Sequence, residues 1–596
     1  MKIKTRQFWH ESSEDEVHEQ VFQHVQQLDH AQRHIHESNL CHARLYSNRF
    51  EPGLDHSSRG QYRSGYAAIT ENVLQSVIDT ATALIGRSRP KVTLQTDGGD
   101  WGLQQLARKV ESFLLNEFRR LSLHDKMTMV FRDACIFGTG ALKMMERDGK
   151  VYCERTLISE IIVDETTVPS SEKPRELFQI KRVSRETLKG MFPDKADEIE
   201  MSGQTKFHLD APWRRVDNDM VVVIEAWHIP KTKGAKGRHS IVVDNTVLFD
   251  DREFSDGYFP FVFFRWSNPL TGFYGQGLCE GLIGYQIRIN ELNDFIRRAQ
   301  DLISIPRVFI PHGSKVIKQH INNDIGSMIS YAGSTPPQFF TAQAVGPEIY
   351  AYKQQIRNDA FDFAGISKMA AQASRPEGIE AAVALRELSD NQSQRFSTQQ
   401  QMYESTYLEL GLMVLTIAKQ IYGSKATETD FEATDIAKTI DWGKVDFDSH
   451  MLHVQASSLL GDTPSGRLQR LVELAQYGVP VRPDEMRRLL GHTDLELSDK
   501  RATSGLEHVE WTIDMLKDGV FMQPESFQDL PLALERVNAA YLDAQRGKAP
   551  EDVLEGFRQW MESAVDLLLS AQPPAPPIDP NAPPIPGGDP SGDPQI

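Results

Sequence analysis

The apolar positions of this chain fall into two rhythms, and the change from one to the other marks its elements. Between Tyr274 and Ile310 the sequence reads YGQGLCEGLIGYQIRINELNDFIRRAQDLISIPRVFI. Leu282, Tyr285, Ile289, Leu292, Ile296, Ala299 and Ile303 are spaced alternately three and four apart, a heptad-like seam on one face of a long helix. Pro306 cannot continue that helix, and a short β-branched run follows it. A second helix from about Pro347 carries a stripe of Ile349, Tyr352, Ile356, Ala360 and Phe363. A third, longer one aligns Tyr403, Tyr407, Leu410, Val414, Ile417 and Ile421. Between the second and third lies a polar, small-residue break, SKMAAQASRPEG.

Upstream, the pattern is mixed. Residues 14–45 read as helical but polar and rich in histidine. Val73, Val77, Ala81 and Leu84 have helical spacing, and Pro90 separates them from the extended KVTLQT. LQQLARKVESFLLNEFRRL and HDKMTMVFRDACIFG predict two more helices, the second closed by Gly138, Thr139 and Gly140. The hairpin ALKMMERDGKVYCERTLI turns on Asp148–Gly149, a favoured tight-turn pair. VVVIEAWHIP returns as HSIVVDNTVLF in a second β region. No βαβ alternation occurs, which disfavours a doubly wound sheet. Residues 459–571 read as helical with short loops, punctuated by Pro480, Pro483, Pro524 and Pro531. The end, PPAPPIDPNAPPIPGGDPSGDPQI, has no apolar periodicity and predicts an extended or disordered tail. The fold class expected is α+β, mainly helical.

Composition narrows the partners. A chain of 596 residues exceeds one compact core, so several domains are expected. Lys and Arg number 65 against 83 Asp and Glu, a net charge of −18. Such a chain lacks the cationic surplus with which proteins grip phosphates, so a nucleic acid should pass along it rather than stick. The four cysteines, Cys41, Cys135, Cys153 and Cys279, share no paired spacing and fit a reducing compartment. The N-terminus has no continuous apolar core of a signal peptide, and nowhere do about 18 apolar residues run together as a membrane span requires.

Catalytic signatures are missing. GTGALKMM lacks the GK[ST] ending of a phosphate loop, YGQGLCEGLIG spaces its glycines wrongly for a dinucleotide turn, and HExxH, GxSxG and CxxC do not occur. Asp164, Glu165, Asp250 and Asp251 are the acidic candidates for Mg²⁺ in a nuclease, against the plainer reading of solvated turns. His30, His34, His36, Cys41 and His42 are zinc-binding residue types in one helical region, but their spacing matches no ligand motif, and a polar interfacial helix explains them. Lys231, Lys233, Lys236 and Arg238 could touch phosphate from a loop, although basic loops between strands are mostly solvated hairpin ends. No metal site and no cofactor is assigned.

The order of parts carries more than any motif. NVLQSVIDTATALIGRSRPKV, RDACIFGTGALKM, PFVFFRWSNPLTGFYGQGLCEGLIGYQIRINELND, then GIS, ASRPEG and the long helix, follow one another between about Asn72 and Tyr422. This succession resembles the portal proteins of tailed bacteriophages, particularly of short-tailed phages. The resemblance implies a non-enzymatic ring of about twelve subunits at one capsid vertex, with DNA passing through its axis during packaging and ejection. It implies a wing at residues 1–272, a first stem helix at 273–305, a clip at 306–345 and a second stem helix at 346–366. A tunnel loop at 367–378, a long wing helix with its return at 379–455, a helical crown region at 456–571 and the tail at 572–596 complete the division.

In that scheme the seam from Leu282 to Ile303 packs neighbouring stems. Arg307, Phe309, Lys315 and Lys318 belong to the clip. Lys368, Ser374, Arg375, Pro376 and Glu377 face the DNA from the tunnel loop. The implied partners are double-stranded DNA, the terminase large subunit, tail adaptor proteins, the major capsid protein and a scaffold protein, with no membrane. The implied location is the virion, after assembly in the host bacterial cytoplasm. The competing reading is a metal-dependent nuclease or other packaging enzyme.

Overall fold

The computed structural model describes residues 8–48, 71–86, 89–96, 101–165, 174–202, 219–230, 236–254, 257–304, 307–309, 338–340, 346–366, 395–424, 440–444, 450–455 and 496–570. Two compact units emerge: Met1–Leu94, Val110–Phe447 and Leu452–Asp462 form the first, and Gln95–Lys109, Asp448–Met451 and Thr463–Ile596 the second. As expected, helices predominate, with antiparallel sheets among them.

In the first unit the chain opens with a single 3₁₀ turn (Trp9–Glu11) and two helices, α1 (Val17–Ala31) and α2 (Arg33–Tyr46), where the His-rich pattern predicts one stretch. Helix α3 (Val73–Ile85) starts at Asn72, whose side chain accepts the Gln75 N–H, and strand β1 (Lys91–Thr96) follows. Helices α4 (Trp101–Arg120) and α5 (Leu123–Phe137) come next; α4 is counted with the second unit up to Lys109 and with the first from Val110.

Strands β2 (Thr139–Arg147) and β3 (Lys150–Thr156) form the expected hairpin. Asp148 and Gly149 both take positive φ, 53° and 69°, which is the backbone that a two-residue turn matching strand twist demands. Two sheets are built around this hairpin. The order β3-β2-β9, with β9 at Phe261–Arg265, makes one, and β4-β5-β6-β7-β8 the other: β4 (Ile161–Val163), β5 (Glu176–Ser184), β6 (Met220–His228), β7 (Gly237–Val242) and β8 (Val247–Phe254). Every pairing in both is antiparallel, so the absence of a doubly wound sheet agrees with the sequence. HSIVVDNTVLF divides into β7 and β8, and the short helices α6 (Arg185–Met191) and α7 (Ala196–Met201) come between β5 and β6.

The five-stranded sheet is covered on both sides. Phe178, Ile180, Ile224 and Ala226 pack with Trp9, Val17, Val21, Phe22 and Val25 from the N-terminal segment. Leu177 and Trp227, on the opposite face of the same strands, pack with Phe261 and Phe273. Val221 and Val223 meet Leu188 and Ile199 of α6 and α7. The N-terminal segment is thus part of the core of this unit.

The long seamed helix is α8 (Leu278–Ser304), 27 residues and so about 40 Å long at 1.5 Å per residue. Strands β10 (Arg307–Phe309) and β11 (Gln338–Phe340) pair antiparallel directly after it, and α9 (Pro347–Ala364) follows. Gly365 closes α9 with a left-handed φ of 70°. Helix α10 (Ser397–Ser424) buries Tyr403, Tyr407, Leu410, Val414, Ile417 and Ile421, the whole predicted face. After α10 the described chain includes a 3₁₀ turn (Trp442–Lys444) and β12 (His450–Gln455).

In the second unit α11 (Glu496–Lys517), α12 (Leu530–Arg546) and α13 (Glu551–Ser570) join the start of α4 around Trp101, Ile513, Val537, Phe557 and Trp560. Pro531 sits in the first turn of α12, where its missing N–H leaves no bond unmade, and Asp529 caps that helix by accepting the Leu532 N–H. The tail after Gln572 and the crown sequence before Glu496 lie outside the described residues.

Candidate functional site: the long helical hairpin

The hairpin of α8, β10, β11 and α9 is the element that the sequence singled out, and its two halves have different surroundings. Leu282, Ile289 and Leu292 are buried within the chain itself. Helix α8 packs with α2, α3, α5 and α9. Tyr285, Ile296, Ala299 and Ile303 are only half-buried, and Phe295 beside them is 52% exposed. The seam therefore changes role along its length: it is a core face in its first half and an open apolar edge towards β10.

Gln286 fixes the base of the hairpin. Its buried Oε1 accepts the N–H groups of Val73 and Leu74 at 3.0 and 3.2 Å, and its Nε2 donates to the Glu71 carbonyl at 2.8 Å and to Asn290 at 3.0 Å. One side chain of α8 thus satisfies donors that the first turn of α3 leaves unbonded. Across the same corner, Lys353 and Arg357 of α9 reach Glu71 at 2.9 and 3.0 Å. Sequence reasoning passed over Gln286 because a glutamine inside a seam carries no signal until its partner is known.

On α9 the predicted stripe holds in the middle, where Ile356 and Ala360 are buried together with Phe361 and Ala364. At its ends Tyr352 and Phe363 are exposed. Arg288 stacks over the Tyr352 ring at 5.7 Å and bonds Glu291 at 2.9 Å, which raises the guanidinium pKa further. Arg297 and Arg298 both reach Asp294 at 2.7 Å. The charges on α8 are therefore largely paired with one another.

At the tip, Arg307 and Phe309 occupy β10 with Phe340 and Gln338 as register partners. Lys315 and Lys318 lie outside the described residues, as do Lys368, Ser374, Arg375, Pro376 and Glu377.

Several candidate ligands of the sequence have other work. Arg238 is not a loop cation: it is 3% exposed, forms a two-point ion pair with Asp250 at 2.8 Å, and donates to the carbonyls of Trp9 and Ser12 at 3.2 and 2.7 Å. Lys236 pairs with Glu253. Of the four basic residues these two are thus engaged within the chain, Arg238 buried rather than at a solvated hairpin end, and Lys231 and Lys233 lie outside the described residues. Glu165 accepts the Phe273 N–H at 3.1 Å and Asp251 the Glu253 N–H at 2.9 Å, so these carboxylates serve local backbone rather than converging on a cation. His36 lies 3.2 Å from Asp29, and His42 bonds Ser38 at 3.2 Å. Among the described residues the group whose ligand atoms do converge is His10, Glu176 and His228. Single residues at a chain end and two strand ends gave no pattern to find.

Residues 7–257 match the family model of the Phage P22-like portal protein. Over these residues the chain is similar to the P22-like phage portal family. The family resemblance carried by the order of motifs is thereby borne out. No curated protein matches the chain. The matched region covers the N-terminal helices, the whole five-stranded sheet and strands β2 and β3 of the other, and ends before β9 and α8, so the hairpin's role rests on its own geometry and its place in the order. No helix among the described residues is long and apolar enough to cross a membrane.

Proposed function

We propose that this portal-family chain assembles into a ring at one capsid vertex and forms the channel through which double-stranded DNA enters and leaves the head. The observation that carries this reading is the helix, β pair, helix order of α8, β10, β11 and α9 placed directly after a portal-family region. A helix of about 40 Å suits a tunnel wall. The open apolar edge at Phe295 and Ile296 suits a neighbour in a ring.

In this reading residues 1–272 are the wing against the major capsid protein, 273–305 and 346–366 the stem, and 306–345 the clip that docks first the terminase large subunit and then tail adaptors. Residues 367–378 are the tunnel loop, where Lys368 and Arg375 meet passing phosphates. Residues 379–455 return to the wing, and 456–571 form the crown. The ring has about twelve copies, as closed cyclic symmetry permits, and a scaffold protein assists its incorporation. Assembly takes place in the host bacterial cytoplasm, and the protein ends in the virion. Its role is structural rather than enzymatic.

Electron microscopy of the purified chain tests the reading. Discrete rings with an open axis are the expected result; a monomer that cleaves DNA with Mg²⁺ would support the nuclease reading instead. That alternative is weakened by Asp250, Asp251 and Glu165, whose carboxylates are engaged by Arg238 and by backbone N–H groups.

A further inference from the structure

Four side chains from four separate stretches meet at one end of the five-stranded sheet. Glu176 begins β5 and His228 ends β6, and the two are direct register partners. His10 comes from the 3₁₀ turn and His24 from α1. The Nδ1 atoms of His10 and His228 each lie 3.2 Å from Glu176 Oε1, and His24 Nε2 lies 3.3 Å from Glu176 Oε2. The carboxylate is 7% exposed. Trp9 and Phe178 form apolar walls, with Trp9 edge-on to both His10 and His228 and Phe178 edge-on to His24.

We propose that His10, His24, Glu176 and His228 form a transition-metal site, of the zinc type, that fastens the N-terminal segment to the wing sheet. Three imidazoles and one carboxylate are a complete tetrahedral donor set for Zn²⁺. At metal–ligand distances of about 2.0–2.2 Å the ligand–ligand edge of a tetrahedron is about 3.3–3.6 Å. His10 and His228 lie 3.2 Å from Glu176 Oε1 and the ligand atoms of these three converge as they stand, whereas His24 lies 3.3 Å from the other oxygen, Oε2, and completes the set by moving towards the ion.

As a hydrogen-bonding cluster alone the arrangement is imperfect. His24 Nε2 is buried and makes no well-formed hydrogen bond despite its closeness to the carboxylate. Two imidazoles also compete for a single oxygen, Glu176 Oε1.

A further movement is required. The rings of His10 and His228 stack 3.7 Å apart at 9°, so each must turn about χ2 before its lone pair can point at a shared ion. That torsion is broad and soft.

The experiment is a Co²⁺ titration of the full-length protein after chelator treatment, read by the visible spectrum of tetrahedral Co²⁺ and by displacement with Zn²⁺. Binding stoichiometric with the chain is expected. His10→Ala and His24→Ala should each weaken it by more than the roughly 10- to 100-fold that loss of an outer-shell partner brings. His30→Ala and His34→Ala, on the exposed His-rich stretch, should leave it unchanged. As a measurement independent of any variant, Zn²⁺ should protect the segment from Trp9 to Ala31 of the wild-type protein against limited proteolysis. The proposal is overturned if folded wild-type protein gives no tetrahedral spectrum, if the spectrum survives in both His10→Ala and His24→Ala, or if Zn²⁺ gives no protection.

Discussion

Gly138 and Gly275 meet backbone to backbone: a Cβ on Gly138 would stand 1.9 Å from the Gly275 carbonyl oxygen, and one on Gly275 would stand 2.7 Å from that of Gly138. The two glycine-rich stretches that failed as nucleotide loops are thus each other's partners. Gly275 N–H donates to Thr139 Oγ1 at 2.9 Å, and Gly138 in turn accepts from Trp266 N–H at 3.1 Å. The contact joins the end of α5 to the approach of α8. Gly138 also has a φ of 85°, which a side chain would strain. Gly138→Ala should therefore destabilise by at least about 3 kcal/mol, since neither backbone can yield without moving a core element. Gly284, inside α8, has nothing within 4 Å of its Cβ position, so Gly284→Ala should instead stabilise by about 0.5–1 kcal/mol through helix propensity. Urea unfolding of both variants checks the contrast, and equal effects would contradict it.

Gln286→Leu should cost about 1–3 kcal/mol. The substitution keeps the volume but leaves the buried Leu74 N–H without its acceptor, at about 1–3 kcal/mol for an unsatisfied donor, while the Val73 N–H keeps only its bond to the Glu71 carbonyl. The loss should show as faster hydrogen exchange at the start of α3. Unchanged exchange there would mean that water replaces the side chain.

How much of this was legible in the sequence follows from what each side chain faces. Tyr403 to Ile421 were read correctly because α10 has one buried face, and a single face leaves a period. Strand β5 was missed because both its faces are covered, Phe178 and Ile180 by the N-terminal helix and Leu177 by the aromatic cluster of Trp227 and Phe261, so burial gave no alternation. Polar core groups hide for a different reason. Lys143 is buried because Gln179 and Glu225, far away in sequence, reach it at 2.9 and 2.5 Å, and Trp227 offers its ring face at 5.0 Å. Arg238 looked like part of a basic loop for want of Asp250. Long-range pairing is invisible to any local pattern.

Acid should weaken the hold of the N-terminal segment through Asp250. Burial would raise this carboxyl's pKa, but the hydrogen bonds of Arg238 and Ser240 and the Arg238 charge outweigh it and lower the group below its ordinary value. A carboxylate depressed on folding contributes stability that is complete above its unfolded pKa of about 3.9 and lost as pH falls through the lower folded value. Asp250→Ala leaves the guanidinium of Arg238 buried without its anion and should cost about 3–5 kcal/mol at neutral pH. The variant should also lose stability less steeply than wild type below about pH 4. Parallel pH profiles for the two would remove Asp250 as the source.

Thiol chemistry should separate the cysteines. Burial pushes the Cys153 thiol up to about 11 and that of Cys279 to about 12, and raises Cys135 well above its ordinary value. Cys41 is the half-exposed one, raised by burial but partly offset by Arg44. Because the thiolate is the reacting form, a thiol reagent at mildly alkaline pH should label Cys41 first and the other three only on unfolding. Mass mapping of the labelled native protein decides it; early modification of Cys135 would mean that its surroundings open readily.

The two halves of the α8 seam should answer differently to the same charge. Leu292 is 6% exposed inside the chain, so Leu292→Asp buries an unpaired carboxylate and should lower the stability of the subunit itself by several kcal/mol, whatever its assembly state. Phe295 is 52% exposed, and Phe295→Asp should leave the isolated subunit within about 0.5 kcal/mol of wild type. If the open edge of α8 is where a neighbouring stem packs, that second variant should nevertheless fail to form rings, because ring closure would bury the new charge against the neighbour's apolar surface. Thermal unfolding of the subunit and native mass spectrometry of the assembly, run on both variants, separate folding from association. Rings of normal yield from Phe295→Asp would place the subunit contact on another face of the hairpin, with Tyr352 and Phe363 of α9, exposed at 45% and 49%, next to be tested.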